Sequence, residues 1–172
     1  MSMAGWHHSQ SGRSTWRQYC RMTAMTYADA TFLVSLCLSD SNSTAAVAFV
    51  KSRHQPLAVT VLQRHELRNA IRLAVFRTKN TSSPVTDADA HAALARMDAN
   101  IASGSFVEHP LPWSETMAEA ERLGGAHTMT LGVRGMDLLN VAAAVATKSR
   151  AFVTFDSRQR AIAQAAGLKV FP

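Results

Sequence analysis

The sequence predicts an α/β fold with a central, mostly parallel sheet flanked by helices. Two observations carry this. From residue 25 to residue 172, short apolar runs of strand length alternate with longer stretches of helical periodicity. That alternation is the pattern of strands joined by helical crossovers. Helix-start and helix-stop residues also punctuate the chain between these segments.

The elements follow in order. "MTYA" reads as a short first strand and "TFLVSLCL" as a helix. "SDSNSTAAVAFVKSR" supplies capping residues and then a helix. "PLAVTV" is β-branched and apolar, hence a strand. Thr60 and Gln63 have the spacing of a capping box that opens a helix to about Arg77. Leu67, Ala70, Ile71, Ala74 and Val75 form its apolar face. Arg64, Arg68 and Arg72 line another face, which reads as solvated or as a track for phosphates. "NTSSPVTD" is a loop, and Thr86 with Asp89 forms a second capping box. Ala90, Leu94, Met97 and Ile101 follow at helical spacing until Gly104. "SFVEH" is a strand. "SETMAEAERL" is a helix expected to stop at Gly124-Gly125, and "GVRG", Gly132 to Gly135, is a turn. "MDLLNVAAAVATKS" is apolar almost all round and reads as a buried helix. "AFVTF", "SRQRAIAQAAG" and "LKVF" close the chain as strand, helix and strand.

Of the 172 residues, 47% are hydrophobic and 17% charged, as in globular proteins. Such a length suits a single domain. No apolar run is long enough to span a membrane. Residues 1–24 are rich in Ser, Gly, His and Arg and lack hydrophobic periodicity. They are expected to be a disordered extension or the result of an early start, with Met22 or Met25 as alternative starts. Cys20 and Cys37 make no C-x-x-C pair and no disulfide framework, which favours a reducing, cytoplasmic setting. The net charge of +6 suggests an acidic partner such as nucleic acid. Arg13, Arg17 and Arg21 supply three of those charges, leaving 15 basic and 12 acidic residues elsewhere, an excess of +3.

Eight of the 12 acidic residues lie in polar or amphipathic contexts and read as solvated charges or caps. The other four do not. Asp29 follows the first strand, Glu66 lies just past "LAVTVLQRH", Asp137 opens "LLNVAAAVA", and Asp156 follows "AFVTF". Helix capping accounts for Asp29, Asp137 and Asp156 taken singly. It fits Glu66 poorly, since Glu66 falls in a second turn. The carboxyl ends of parallel strands form the crevice of open α/β sheets. Four acids that reach one crevice repel one another unless protons or a cation intervene. Carboxylates without a His or Cys cluster suit hard cations such as Mg2+ or Mn2+ and not zinc. The reaction that suits such a site is phosphodiester hydrolysis.

In this order and in these frames, "YADAT", "HELRNA", "RGMDLLNVAAA" and "FVTFDSRQRAIAQAAGLKVF" resemble a PIN domain, with VapC-type ribonuclease toxins as the nearest kin. The resemblance spans residues 25–172. It implies a sandwich of helices around a parallel sheet, and Mg2+- or Mn2+-dependent cleavage of RNA. It makes Asp29, Glu66, Asp137 and Asp156 an acidic quartet, with Asp29 and Asp137 as direct metal ligands. Glu66 and Asp156 would bind a second metal or orient waters. It places Thr31 and Thr154 as hydrogen-bond partners of the ligands or as packing residues. Asn140 stands where many relatives have His. The resemblance further implies a homodimer, silenced by a cognate antitoxin that puts a basic side chain into the acidic site.

Other readings fall away. The glycine pair in "GVRG" has the spacing of a KH-domain clamp, but such pairs are common in plain turns. No phosphate-binding or nucleophile-elbow motif occurs. An aspartyl phosphatase would need Asp where Thr31 stands. His65 and His127 are isolated in the sequence and read as packing or surface residues. A metal-dependent ribonuclease therefore stands beside one alternative, a catalytically inactive PIN-like module that binds RNA or protein.

Overall fold

The structure, a computed structural model, describes residues 25–53 and 56–172. The expectations for residues 1–24, including Cys20 and the three arginines there, lie outside the described residues. Among these there are five strands and seven helices, in the order β1 (Thr26–Ala28), α1 (Ala30–Cys37), α2 (Ser43–Arg53), β2 (Leu57–Val59), α3 (Val61–Thr78), α4 (Asp87–Ala102), β3 (Phe106–Glu108), α5 (Trp113–Leu131), α6 (Gly135–Ala146), β4 (Ala151–Val153), α7 (Ser157–Ala165) and β5 (Lys169–Phe171). The strands form one sheet in the order β3-β2-β1-β4-β5, and every pairing is parallel. The α/β class with a parallel sheet flanked by helices is thus observed.

Each strand is only three residues long, so alternation along it sets the two faces. Ala28, Val59 and Val153 point into one core with Phe32 and Leu33 of α1, Leu67 and Ile71 of α3, and Met97 of α4. Tyr27 and Phe152 point into the other, with Leu123 of α5, Val141 of α6 and Ile162 of α7. Tyr27 and Phe152 are paired in register across β1 and β4 and stack with ring centroids 5.7 Å apart. Burying a side chain of this size stabilises by about 1.5–3 kcal/mol. The two cores therefore hold the short strands from both faces of the sheet.

Both expected capping boxes form. Thr60 N donates to Gln63 Oε1 at 2.6 Å, and Asp89 N donates to Thr86 Oγ1 at 3.1 Å. Gln63 reaches further than a cap. Its Nε2 donates to the carbonyls of Ala28 and Ala58, tying the end of β1 to the middle of β2. No helix among the described residues is long and apolar enough to cross a membrane.

One expected boundary is wrong. Helix α5 does not stop at Gly124-Gly125 but runs to Leu131 and ends at Gly132, whose φ of 60° closes it in the left-handed conformation. Packing overrides propensity here. A Cβ on Gly124 would lie 3.3 Å from Leu138 Cδ1, so the glycine lets α5 and α6 lie close together.

Candidate functional site

β1 is central. The chain builds β2 and β3 on one side of it, then β4 and β5 on the other. The boundary between β1 and β4 is thus the switch point at which open α/β sheets form a binding crevice. Asp29 follows β1 and Asp156 lies three residues past β4, one on each side of that boundary.

Asp29 caps α1 and is 0% exposed. Its Oδ1 accepts from the Phe32 amide at 2.8 Å. The Thr31 hydroxyl donates to both carboxylate oxygens, at 2.9 and 2.8 Å, and Thr154 Oγ1 donates to Oδ2 at 2.8 Å. Burial pushes the Asp29 carboxyl up to about 6; these three donors oppose the shift, and the charge of Asp156 adds to it. Asp156 caps α7, taking the amides of Arg158 at 2.8 Å and Gln159 at 3.0 Å on Oδ1.

Glu66 lies in the second turn of α3 and is partly buried. Its Oε2 accepts from Asn140 Nδ2 at 2.7 Å. Burial raises its carboxyl to about 7 against the pull of that bond, and the charges of Asp29 and Asp137 raise it further. Asp137, in the first turn of α6, is 8% exposed and accepts from the Arg134 amide at 3.1 Å.

Thr31, Glu66, Asp137 and Asp156 line one cleft between α1, α3 and the starts of α6 and α7. Arg77 and Arg134 lie on the same cleft. Asp29 meets it through Thr31, which is exposed and bonded to both Asp29 oxygens. Two of the three arginines at helical spacing on α3 are used elsewhere. Arg64 pairs with Glu108 at the end of β3, and Arg68 with Asp98 of α4 at 2.7 Å. The packing of α4 and β3 beside α3 brings those acids to them, so these two do not form an open phosphate track.

The donors suit a hard cation in kind, since all are carboxylate or hydroxyl oxygens. They are not gathered into a closed set. Among the described residues no group of three or more His, Cys, Asp or Glu side chains is arranged to hold a metal ion. The hydrogen bonds show why: Asp29 is engaged by hydroxyls, Asp156 by the start of α7, and Glu66 by Asn140.

Residue patterns alone did not reveal that Arg77 and Arg134 line this cleft or that Asn140 bonds Glu66. For Asn140 a signal existed, because a residue three positions after Asp137 shares its helix face. Comparison of the chain with known protein families finds no match, and comparison with curated proteins finds none.

Proposed function

We propose that the chain is a metal-dependent endoribonuclease of the PIN-domain kind, acting in the cytoplasm as the toxin of a toxin–antitoxin pair. One observation supports the reading. Glu66, Asp137 and Asp156 line one cleft beside the switch point of a parallel sheet, and Thr31 on the same cleft bonds both carboxylate oxygens of Asp29. Such crowding favours a cation over a set of free carboxylates.

In this reading Asp29 and Asp137 would hold Mg2+ or Mn2+ directly, and Glu66 and Asp156 would bind a second metal or orient waters. The bound metal would activate water and stabilise phosphate charge. Thr31 and Thr154 keep the Asp29 carboxylate turned as it is, through bonds of 2.8–2.9 Å. Arg77 and Arg134 offer positive charge to the RNA backbone beside the acids. The protein acts as a homodimer, and a cognate antitoxin silences it by placing a basic side chain among the carboxylates.

Induced expression of wild type and Asp29→Asn, with sequencing of RNA ends, tests the reading. Wild type is expected to arrest growth and create new RNA ends at defined sites, and the variant to do neither. Identical behaviour of the two contradicts the proposal. Binding of RNA without cleavage under any metal condition would establish the inactive binding module instead.

A further inference from the structure

We propose that Asn140 is a positioning residue for Glu66, and that Tyr27 sets the orientation of its amide. The proposal deepens the nuclease reading and rests on it for its catalytic consequence. Its structural part stands by itself.

Asn140 is 1% exposed on α6, one helical turn past Asp137. Every polar atom of its side chain is engaged. Nδ2 donates to Glu66 Oε2 at 2.7 Å and to the Met136 carbonyl at 3.2 Å, while Oδ1 accepts from Tyr27 OH at 3.3 Å. An amide turned the other way would set its carbonyl against a carboxylate and a second carbonyl. The three partners therefore select one orientation. Tyr27 is itself 0% exposed in β1 and stacked on Phe152.

The bond to Asn140 joins α6 to α3 across 74 positions of sequence. Glu66 is a long side chain on a partly exposed helix position, and such a side chain samples several rotamers unless something holds it. Asn140 engages Oε2 of that carboxylate. Asp137 and Asn140 share one helix face, so α6 supplies one acid of the site directly and orients another through its amide. An outer partner of this kind commonly sets the affinity of a metal site.

The test uses the full chain and three variants: Asn140→Leu, which removes the donor; Asn140→His, which keeps an N–H; and Tyr27→Phe, a mild change that removes only the hydroxyl. Calorimetric titration with Mn2+ is expected to show roughly tenfold weaker binding for Asn140→Leu. Tyr27→Phe should show a smaller loss in the same direction, and Asn140→His should recover part of the affinity. For RNA cleavage, kcat falls while KM is unchanged. A metal-free readout runs beside these: thermal unfolding of Asn140→Leu, Glu66→Gln and the double variant. Non-additive effects support the positioning role. Additive effects, or folded variants with wild-type Mn2+ affinity and kcat, overturn it. If wild type neither binds Mn2+ nor cleaves RNA, the nuclease reading fails, and the unfolding cycle alone decides the positioning: coupling supports it and additivity overturns it.

Discussion

Thr154, the first residue past β4, donates its hydroxyl to Oδ2 of Asp29, the first residue past β1, at 2.8 Å. The same hydroxyl oxygen accepts from the Asp156 amide at 2.9 Å. One buried side chain thus connects two acids across the centre of the sheet. Thr154→Val keeps the shape and removes both bonds, leaving a buried carboxylate short of a donor. A loss of about 1–3 kcal/mol is expected in chemical denaturation, whereas Thr154→Ser should stay within about 1 kcal/mol of wild type.

The pH dependence of the metal-free protein follows from Glu66 and Asp29. Their carboxyls are raised from 4.5 to about 7 and from 3.8 to about 6. The folded state therefore holds more protons than the unfolded state across that window. The contribution of both groups to stability is full below the unfolded values and is lost as pH rises through the folded ones. Glu66→Gln removes one of the two slopes. Thermal unfolding in chelator at about pH 5 and about pH 8 should show the variant gaining on wild type at the higher pH. A constant difference between the two would contradict the raised Glu66 carboxyl.

Asp156 and Asp29 are both helix caps, but they differ in burial. Asp156→Asn keeps an acceptor for the start of α7, so its stability should stay near wild type, while Asp156→Ala should lose about 1 kcal/mol. Asp29→Asn puts an amide among hydroxyls that now donate to a carboxylate. RNA cleavage assayed side by side should show Asp29→Asn inactive and Asp156→Asn only partly impaired. Equal loss in both would remove the distinction.

Gly124 and Gly125 are adjacent in α5 but not equivalent. A Cβ on Gly125 meets nothing within 4 Å. Gly125→Ala should therefore stabilise by about 0.5–1 kcal/mol through helix propensity. Gly124→Val presses on Leu138 of α6 and should destabilise by about 1–3 kcal/mol. Denaturant midpoints of the two variants check both signs.

The alternation of strand-length and helix-length segments made the parallel sheet legible, and the capping spacings at Thr60 and Thr86 located two helix starts. The end of α5 was not legible, because the close approach of α6, a long-range contact, carries that helix through two glycines. The places of the acids were legible in part: Asp29 and Asp156 lie just past strands, and Asp137 lies in the first turn of an apolar helix. Their hydrogen bonds were not, since Thr154 lies 125 positions from Asp29 and Asn140 lies 74 from Glu66. The arginines on α3 lie on a solvated face, one of the two readings of their spacing, and the acids that Arg64 and Arg68 pair with, Glu108 and Asp98, reach them only in the folded chain.

The central claim is that the four acids cleave RNA with a bound hard cation. The most direct measurement is cleavage of RNA by the purified chain in Mg2+, in Mn2+ and in chelator, for wild type and for Asp29→Asn with an unchanged circular-dichroism spectrum. The account predicts cleavage by wild type with either metal, none in chelator, and none by the variant. Cleavage by Asp29→Asn at the wild-type rate, or by wild type in chelator, would contradict it.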